Sequence, residues 1–507
     1  MAISEIKAGA ILSYVAIAVN NIVGLLYTPY MLRMLGQNEY GLYSLVASVV
    51  AYLTLLDLGF GNAIIRYTSQ YRVEGKTEEQ YEMFGMFFKL YCFIGIVAFI
   101  IGIILLFNIK GLFDNTMSND DIYQTQIMML LMLFNIAFTF PMSIWGAILS
   151  AYEKFVFQKA LNIARVILNA IVMVFLLYLG YKAISMVVVL TVFNILTLCS
   201  NAWYCRKRLK IKIKFSKIKW QLLKEVFNYS IWIFIAGIVD RIYWSSGQFV
   251  LGLYRPPAEI AIFGVAVQLQ AIFFSFAYAI SNVFLPRLVR MVSTNDDNIQ
   301  LSDLLTRVGR LQFYILSLLF SGFIIFGRRF LVLWAGEDYI GAYPITLLFF
   351  FAHLLTSIQT LGYNILQAKN RIKFRSLSIL VISLLAFIAC FPMAKNYGGI
   401  GCAVCITVGI LIAQILVINA YYQFYIGLDI VSFWKNIFQI SIVPIIITIV
   451  GILCLSRLDS FSILTYISAI IIYSIIFSLS IYYLVFNDSE KHLVSPLFKK
   501  IKGLRIK

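Results

Sequence analysis

Charged side chains buried in long apolar runs are where this chain could do chemistry. Asp57, Arg165 and the pair Asp240-Arg241 each lie well inside such a run. A charge at bilayer depth costs about 2.5–3.5 kcal/mol on insertion scales, so it calls for a cavity or a partner. A guanidinium offers a planar fork of donors that fits phosphate oxygens two at a time. An aspartate nearby can hold the arginine in place, or carry a coupling proton or cation. Arg33, Arg66 and Lys89 sit closer to the ends of their runs, where a long side chain reaches water cheaply, and they form a secondary set of cavity candidates.

Polar residues at helical spacing extend this list. Ser230, Gly237, Arg241, Trp244 and Gln248 fall on one helix face, as do Tyr14, Asn21, Gly24 and Thr28 in the first apolar run. A third stripe holds His353, Thr356, Thr360, Tyr363 and Gln367. The expected central cavity is therefore drawn from Arg165, Arg241, Asp240, Asp57, Asn21, Trp244, Gln248 and His353. For any single Ser or Thr in these stripes the plainer role is an interhelical hydrogen bond, worth about 0.6 kcal/mol.

The elements that must position these residues follow from composition. The 507 residues are 61% apolar and only 13% charged, which excludes an ordinary soluble enzyme. Apolar stretches near 10–34, 41–68, 84–108, 122–151, 156–180, 183–205, 225–253, 259–285, 309–333, 341–367, 374–394, 399–424, 437–456 and 461–486 are each long enough to span a bilayer. Unpaired backbone is too costly in lipid for anything but helices, so the fold class is an all-α integral membrane protein of about fourteen spans. Pro29 and Pro141 are expected to bend their helices.

The net charge of +18 sorts by side. With the N-terminus inside, inner loops collect Arg72, Lys76, Lys154, Lys369 and Arg371, the run 206–220, and the tail 498–507. Outer turns carry acids such as Asp120-Asp121 and Glu337-Asp338. This bias puts both termini in the cytoplasm, and it accounts for the basic run without a nucleic-acid partner.

The chain also repeats. A shift of 220 aligns Glu39-Tyr40-Gly41 with Glu259-Ile260-Ala261, and a shift of 217 aligns Ser150-Ala151 with Gln367-Ala368. The expected organisation is a six-helix lobe over 1–205, a basic cytoplasmic linker over 206–224, a second six-helix lobe over 225–430, two added helices over 431–487 and a basic tail over 488–507. Duplicated halves with a site between them are the usual build of an alternating-access carrier.

Several other chemistries find no footing. His353 and His492 do not form a zinc motif, and Cys402 and Cys405 sit inside an apolar run. Gly59-Phe60-Gly61 lacks a third glycine, because Ile64 stands there, and no Walker A motif occurs. No metal and no cofactor is expected, nor any catalytic residue.

The stretches LGQNEYGLYSL (35–45) and LLDLGFGNAIIRYTSQYR (55–72) resemble the opening of bacterial polysaccharide-export flippases of the O-antigen type. YSIWIFIAGIVDRIYWSSGQFVLGLY (229–254) and ILQAKNR (365–371) are similar to that family's second half. The wider superfamily includes multidrug/cation antiporters and peptidoglycan-precursor flippases. The resemblance implies two six-helix lobes in the bacterial inner membrane and movement of a polyprenyl-pyrophosphate-linked oligosaccharide to the outer leaflet. It implies the lipid-linked substrate as partner, with a polysaccharide polymerase or assembly machinery as a further one. A cation-coupled drug or small-molecule antiporter of the same superfamily is the alternative, and a membrane-embedded transferase or polymerase a third.

Overall fold

The chain is a multi-pass helical membrane protein. In a computed structural model, residues 2–216, 220–294, 297–369, 371–454, 462–488 and 490–491 are described, and no strand occurs among them. The helices are α1 (Ala2–Leu53), α2 (Phe60–Glu74), α3 (Thr77–Phe113), α4 (Asn119–Ala151), α5 (Phe155–Tyr178), α6 (Ala183–Lys207), α7 (Trp220–Tyr254) and α8 (Pro257–Thr294). Then come α9 (Asn298–Trp334), α10 (Ala342–Ser357), α11 (Thr360–Ala368), α12 (Ile372–Leu411), the short α13 (Ile418–Tyr421), α14 (Ile430–Cys454) and α15 (Ile463–Leu484).

Ten helical stretches among the described residues are long and apolar enough to cross a membrane, or eleven if the bent pair α10–α11 counts as one more. Two of them, of 64 and 55 residues, are too long for a single crossing, since 20 residues already cover about 30 Å. Each is interrupted inside at a glycine with non-helical angles: Gly36 (φ 75°, ψ 172°) in the first, which has a further break at Leu58-Gly59, and Gly398 (φ 60°, ψ −142°) in the second. The chain turns at these glycines because a β-carbon disfavours positive φ. The prolines do not break their helices: α1 runs on through Pro29 and α4 through Pro141.

Residues 1–268 and 373–413 make one compact unit, and 269–372 with 414–507 make another. In the first, Phe60, Phe84, Phe87, Tyr91, Phe140 and Trp145 build a core between α2, α3 and α4. Small residues let these helices approach closely, as where Gly95 faces the Ala137 carbonyl. At the Gly36 corner, the buried carboxylate of Glu39 draws three elements together. It accepts from the Ala183 N–H at 3.3 Å, faces the Lys182 ammonium at 3.5 Å, and lies 3.1–3.2 Å from the Gln124 amide. Beside it, Asn38 donates to Asp121 at 2.6 Å, and Ser118 and Asp121 cap α4 reciprocally.

In the second unit, a buried ion pair joins α9 to the segment after α15. Arg310 donates to Glu490 through Nε at 2.7 Å and Nη2 at 2.9 Å, and the Tyr314 hydroxyl adds a third bond at 3.2 Å. Glu490 is 1% exposed, so its charge depends on these partners. Arg310→Ala should lower stability by about 3–5 kcal/mol, because it strands a buried carboxylate. The paired change Arg310→Met with Glu490→Leu should recover most of that loss. Thermal unfolding in detergent measures both; an unchanged midpoint for Arg310→Ala would refute the assignment.

Candidate functional site

Arg165 lines a chamber of about 470 Å³ inside the first compact unit. Four helices each contribute one face. Tyr43, Ala47 and Thr54 come from α1 and its end, Asn135 and Thr139 from α4, Arg165 and Asn169 from α5, and Thr191 and Asn194 from α6. Spacings of three and four residues explain why otherwise apolar helices bring their few polar groups to one place.

The chamber wall is tied but not saturated. The Asn194 amide donates to Asn135 Oδ1 at 2.6 Å and to Thr139 Oγ1 at 2.7 Å. Arg165 donates to Asn162 Oδ1 at 3.0 Å, a neutral partner one helical turn away. No carboxylate lies within ion-pair distance of Arg165 among the described residues, and none lines the chamber. The buried Thr191 Oγ1 and Asn169 Oδ1 have no hydrogen-bond partner. A cation with donors to spare can pair with an anion, and the neutral polar groups beside it can add hydrogen bonds.

The other expected residues are not gathered there. Asp57 ends a one-turn break in the second apolar run, where Thr54–Asp57 is a 3-10 turn and Leu58 and Gly59 have φ of 52° and 72°. Its carboxyl faces the Tyr91 hydroxyl and the Gly59 N–H. Gly237 of α7 packs over this break against Leu55, and Tyr52 meets Phe249 edge-on at 6.3 Å. Further along α7, Asp240 is exposed, with Arg241 and Arg375 as the cations acting on it. Arg241, Trp244, Gln248 and, on α1, Asn21 are half-buried.

His353 lies in the second unit, 6% exposed, with Nε2 at 2.6 Å from the Gln270 amide nitrogen and its ring 5.0 Å from that of Phe274. That is a helix-to-helix tie between α8 and α10. Of the secondary candidates, Lys89 donates to the Ser216 carbonyl at 2.9 Å, Arg66 stacks over Tyr67 at 5.8 Å, and Arg33 is exposed. Sequence reasoning found Arg165 but missed Asn135, Thr139, Asn169, Thr191 and Asn194. The available signal was asparagine inside three apolar runs: Asn135 in one, Asn162 and Asn169 in the next, and Asn194 and Asn201 in the third.

Comparison with known proteins now gives this chamber a setting. Residues 6–292, more than half the chain, match the model of one family, described as polysaccharide biosynthesis protein. The chain belongs to this family. It is 21% identical over 409 residues to a putative O-antigen transporter of Shigella flexneri, covering 79% of this chain and 93% of that one. Among solved structures it resembles the lipid II flippase MurJ in an inward closed conformation, with a TM-score of 0.71, 18% identity, and coverage of 94% and 98%. It also resembles an inward-facing multidrug resistance MATE transporter of the MOP superfamily, with a TM-score of 0.59, 13% identity, and coverage of 83% and 96%. These likenesses establish a shared membrane-transporter fold.

The chamber should contain water. In a cysteine-free background, Asn169→Cys should react with a small polar thiol reagent at least tenfold faster than Ile167→Cys, whose side chain points outward from α5. Equal rates would show that the chamber is closed to solvent.

Proposed function

We propose that this protein is a flippase for a polyprenyl-pyrophosphate-linked oligosaccharide, carrying it from the cytoplasmic to the outer leaflet for surface polysaccharide synthesis. The observation that carries this reading is Arg165 in a chamber that has no carboxylate in its lining and gathers three asparagines and several threonines among apolar side chains. A pyrophosphate crossing a low-dielectric region meets a steep electrostatic barrier, and a fixed guanidinium lowers it. The chamber's asparagines and threonines suit sugar hydroxyls. A bound organic cation would want a carboxylate instead, which favours the flippase over the drug antiporter.

The prenyl tail needs a different surface. An apolar cavity of about 290 Å³ in the second unit is lined by Phe273, Phe276 and Gly322 among others, with Ile470 of α15 on one side. In our reading the tail lies along such apolar surface while the head occupies polar space.

The crossings number fourteen in this proposal: each over-long stretch is split at its glycine, and α7 and the α10–α11 pair add one each. Both termini then lie in the cytoplasm of a bacterial inner-membrane protein. The lobes 1–205 and 225–430 alternate access in this proposal, and their leading helices α1 and α7 already touch, with Leu45 packed against Gly252. Asp240, Arg241 and Arg375 would relay or balance charge during transport. A polysaccharide polymerase would receive the product.

Arg165→Ala should insert at wild-type levels yet reduce surface glycan at least tenfold, with Arg165→Lys intermediate because it keeps charge but not the fork. Glycan staining against membrane abundance measures this, and undiminished glycan would rule the site out. At Gly322 an added Cβ meets nothing within 4 Å, so Gly322→Phe should fold and fill the apolar groove. Wild-type glycan from that variant would remove the groove from the transport path.

A further inference from the structure

The basic linker is a pinned strap. Residues 208–216 run beside the first turns of α3, and Leu209, Ile211 and Ile213 pack into the same core as Phe84 and Trp145. The Lys214 N–H donates to the Tyr81 carbonyl at 3.1 Å, and the Lys89 ammonium to the Ser216 carbonyl at 2.9 Å. A Cβ on Gly85 would run into the Lys214 carbonyl, so the strap lies this close because position 85 is glycine.

Alternation then sets where the lysines go. Lys210 turns the chain with a left-handed φ of 54°, and in extended chain beyond such a turn successive side chains face opposite ways, alternate residues standing about 6.6 Å apart. With the isoleucines inward, Lys210, Lys212 and Lys214 are exposed, as are Lys207 and Arg208 at the end of α6. Lys214 pairs with Glu78. Lys207, Arg208, Lys210 and Lys212 have no ion-pair partner among the described residues.

An orientation signal needs positive charge only, not a comb fixed to a core. The strap also ends in exposed aromatics. Phe215 is 62% exposed, its ring 6.1 Å from Phe88 where the apolar part of α3 begins, and Trp220 is 73% exposed at the start of α7. Exposed aromatics beside cations at the end of an apolar helix mark the headgroup level of a bilayer.

We infer that this strap is a docking surface for anionic phospholipid headgroups. Lys207, Arg208, Lys210 and Lys212 contact the phosphates, and Phe215 and Trp220 seat at the boundary with the acyl chains. The leaflet follows from the orientation proposed above; the lipid binding itself is independent of it.

The test uses the full chain in nanodiscs of mixed phosphatidylcholine and phosphatidylglycerol, counting retained lipid by native mass spectrometry. Phosphatidylglycerol retention should weaken about fivefold for each of the four cations changed to Gln. The paired control Lys110→Gln with Lys395→Gln should leave it unchanged. Wild-type retention should also fall as salt rises, which needs no variant to fold. Retention indifferent to salt, unchanged in the fourfold variant, or lost equally in the control would overturn the assignment. Lys210→Cys in a cysteine-free background, labelled by an impermeant maleimide in intact cells, would contradict the proposed orientation alone and leave the lipid result standing.

Discussion

The bilayer core supplies no water, so every polar group carried into it must find its partner within the protein. That constraint makes the chain helical and decides where it can kink: the two long apolar stretches are interrupted at Gly36 and Gly398, where positive φ is tolerated. It also explains why buried charges come with complete sets of partners. Glu39 has a lysine, a backbone N–H and an amide; Glu490 has a bidentate arginine and a tyrosine.

Arg165 stands apart from this pattern. Among the described residues it has one neutral hydrogen bond, and it lines a chamber shared with Asn169 and Thr191, whose oxygens have no partner. A structural arginine at that depth would be matched as Arg310 is. In the proposal made here, the contrast between the two arginines separates an anchoring cation from one whose partner would be an anionic substrate. Family membership adds the chemical setting, and the shared fold with MurJ and MATE structures adds the transporter architecture.

Hydropathy made the helices legible, because a 30 Å core imposes a length that apolar runs must meet. Helix ends followed closely, as in α5 and α6, where the expected 156–180 and 183–205 meet Phe155–Tyr178 and Ala183–Lys207. The break at Thr54–Asp57 was hidden, since a single turn barely disturbs apolar periodicity. Arg165 was legible as a charge at depth, whereas its chamber was not. Asn135, Asn169 and Asn194 are scattered in sequence and converge only through the packing of α4, α5 and α6. His353 looked like a cavity residue by its stripe, yet the neighbour that decides its role, Gln270, lies on another helix.

The most direct test is equilibrium binding of a polyprenyl-pyrophosphate-linked sugar to the purified protein in nanodiscs. The same lipid lacking its pyrophosphate serves as comparison, and Arg165→Ala as the variant. The account predicts that wild type prefers the pyrophosphate form at least tenfold and that Arg165→Ala loses this preference while unfolding at the same temperature. Equal affinity of wild type for both lipids, or a preference that survives in Arg165→Ala, would contradict it.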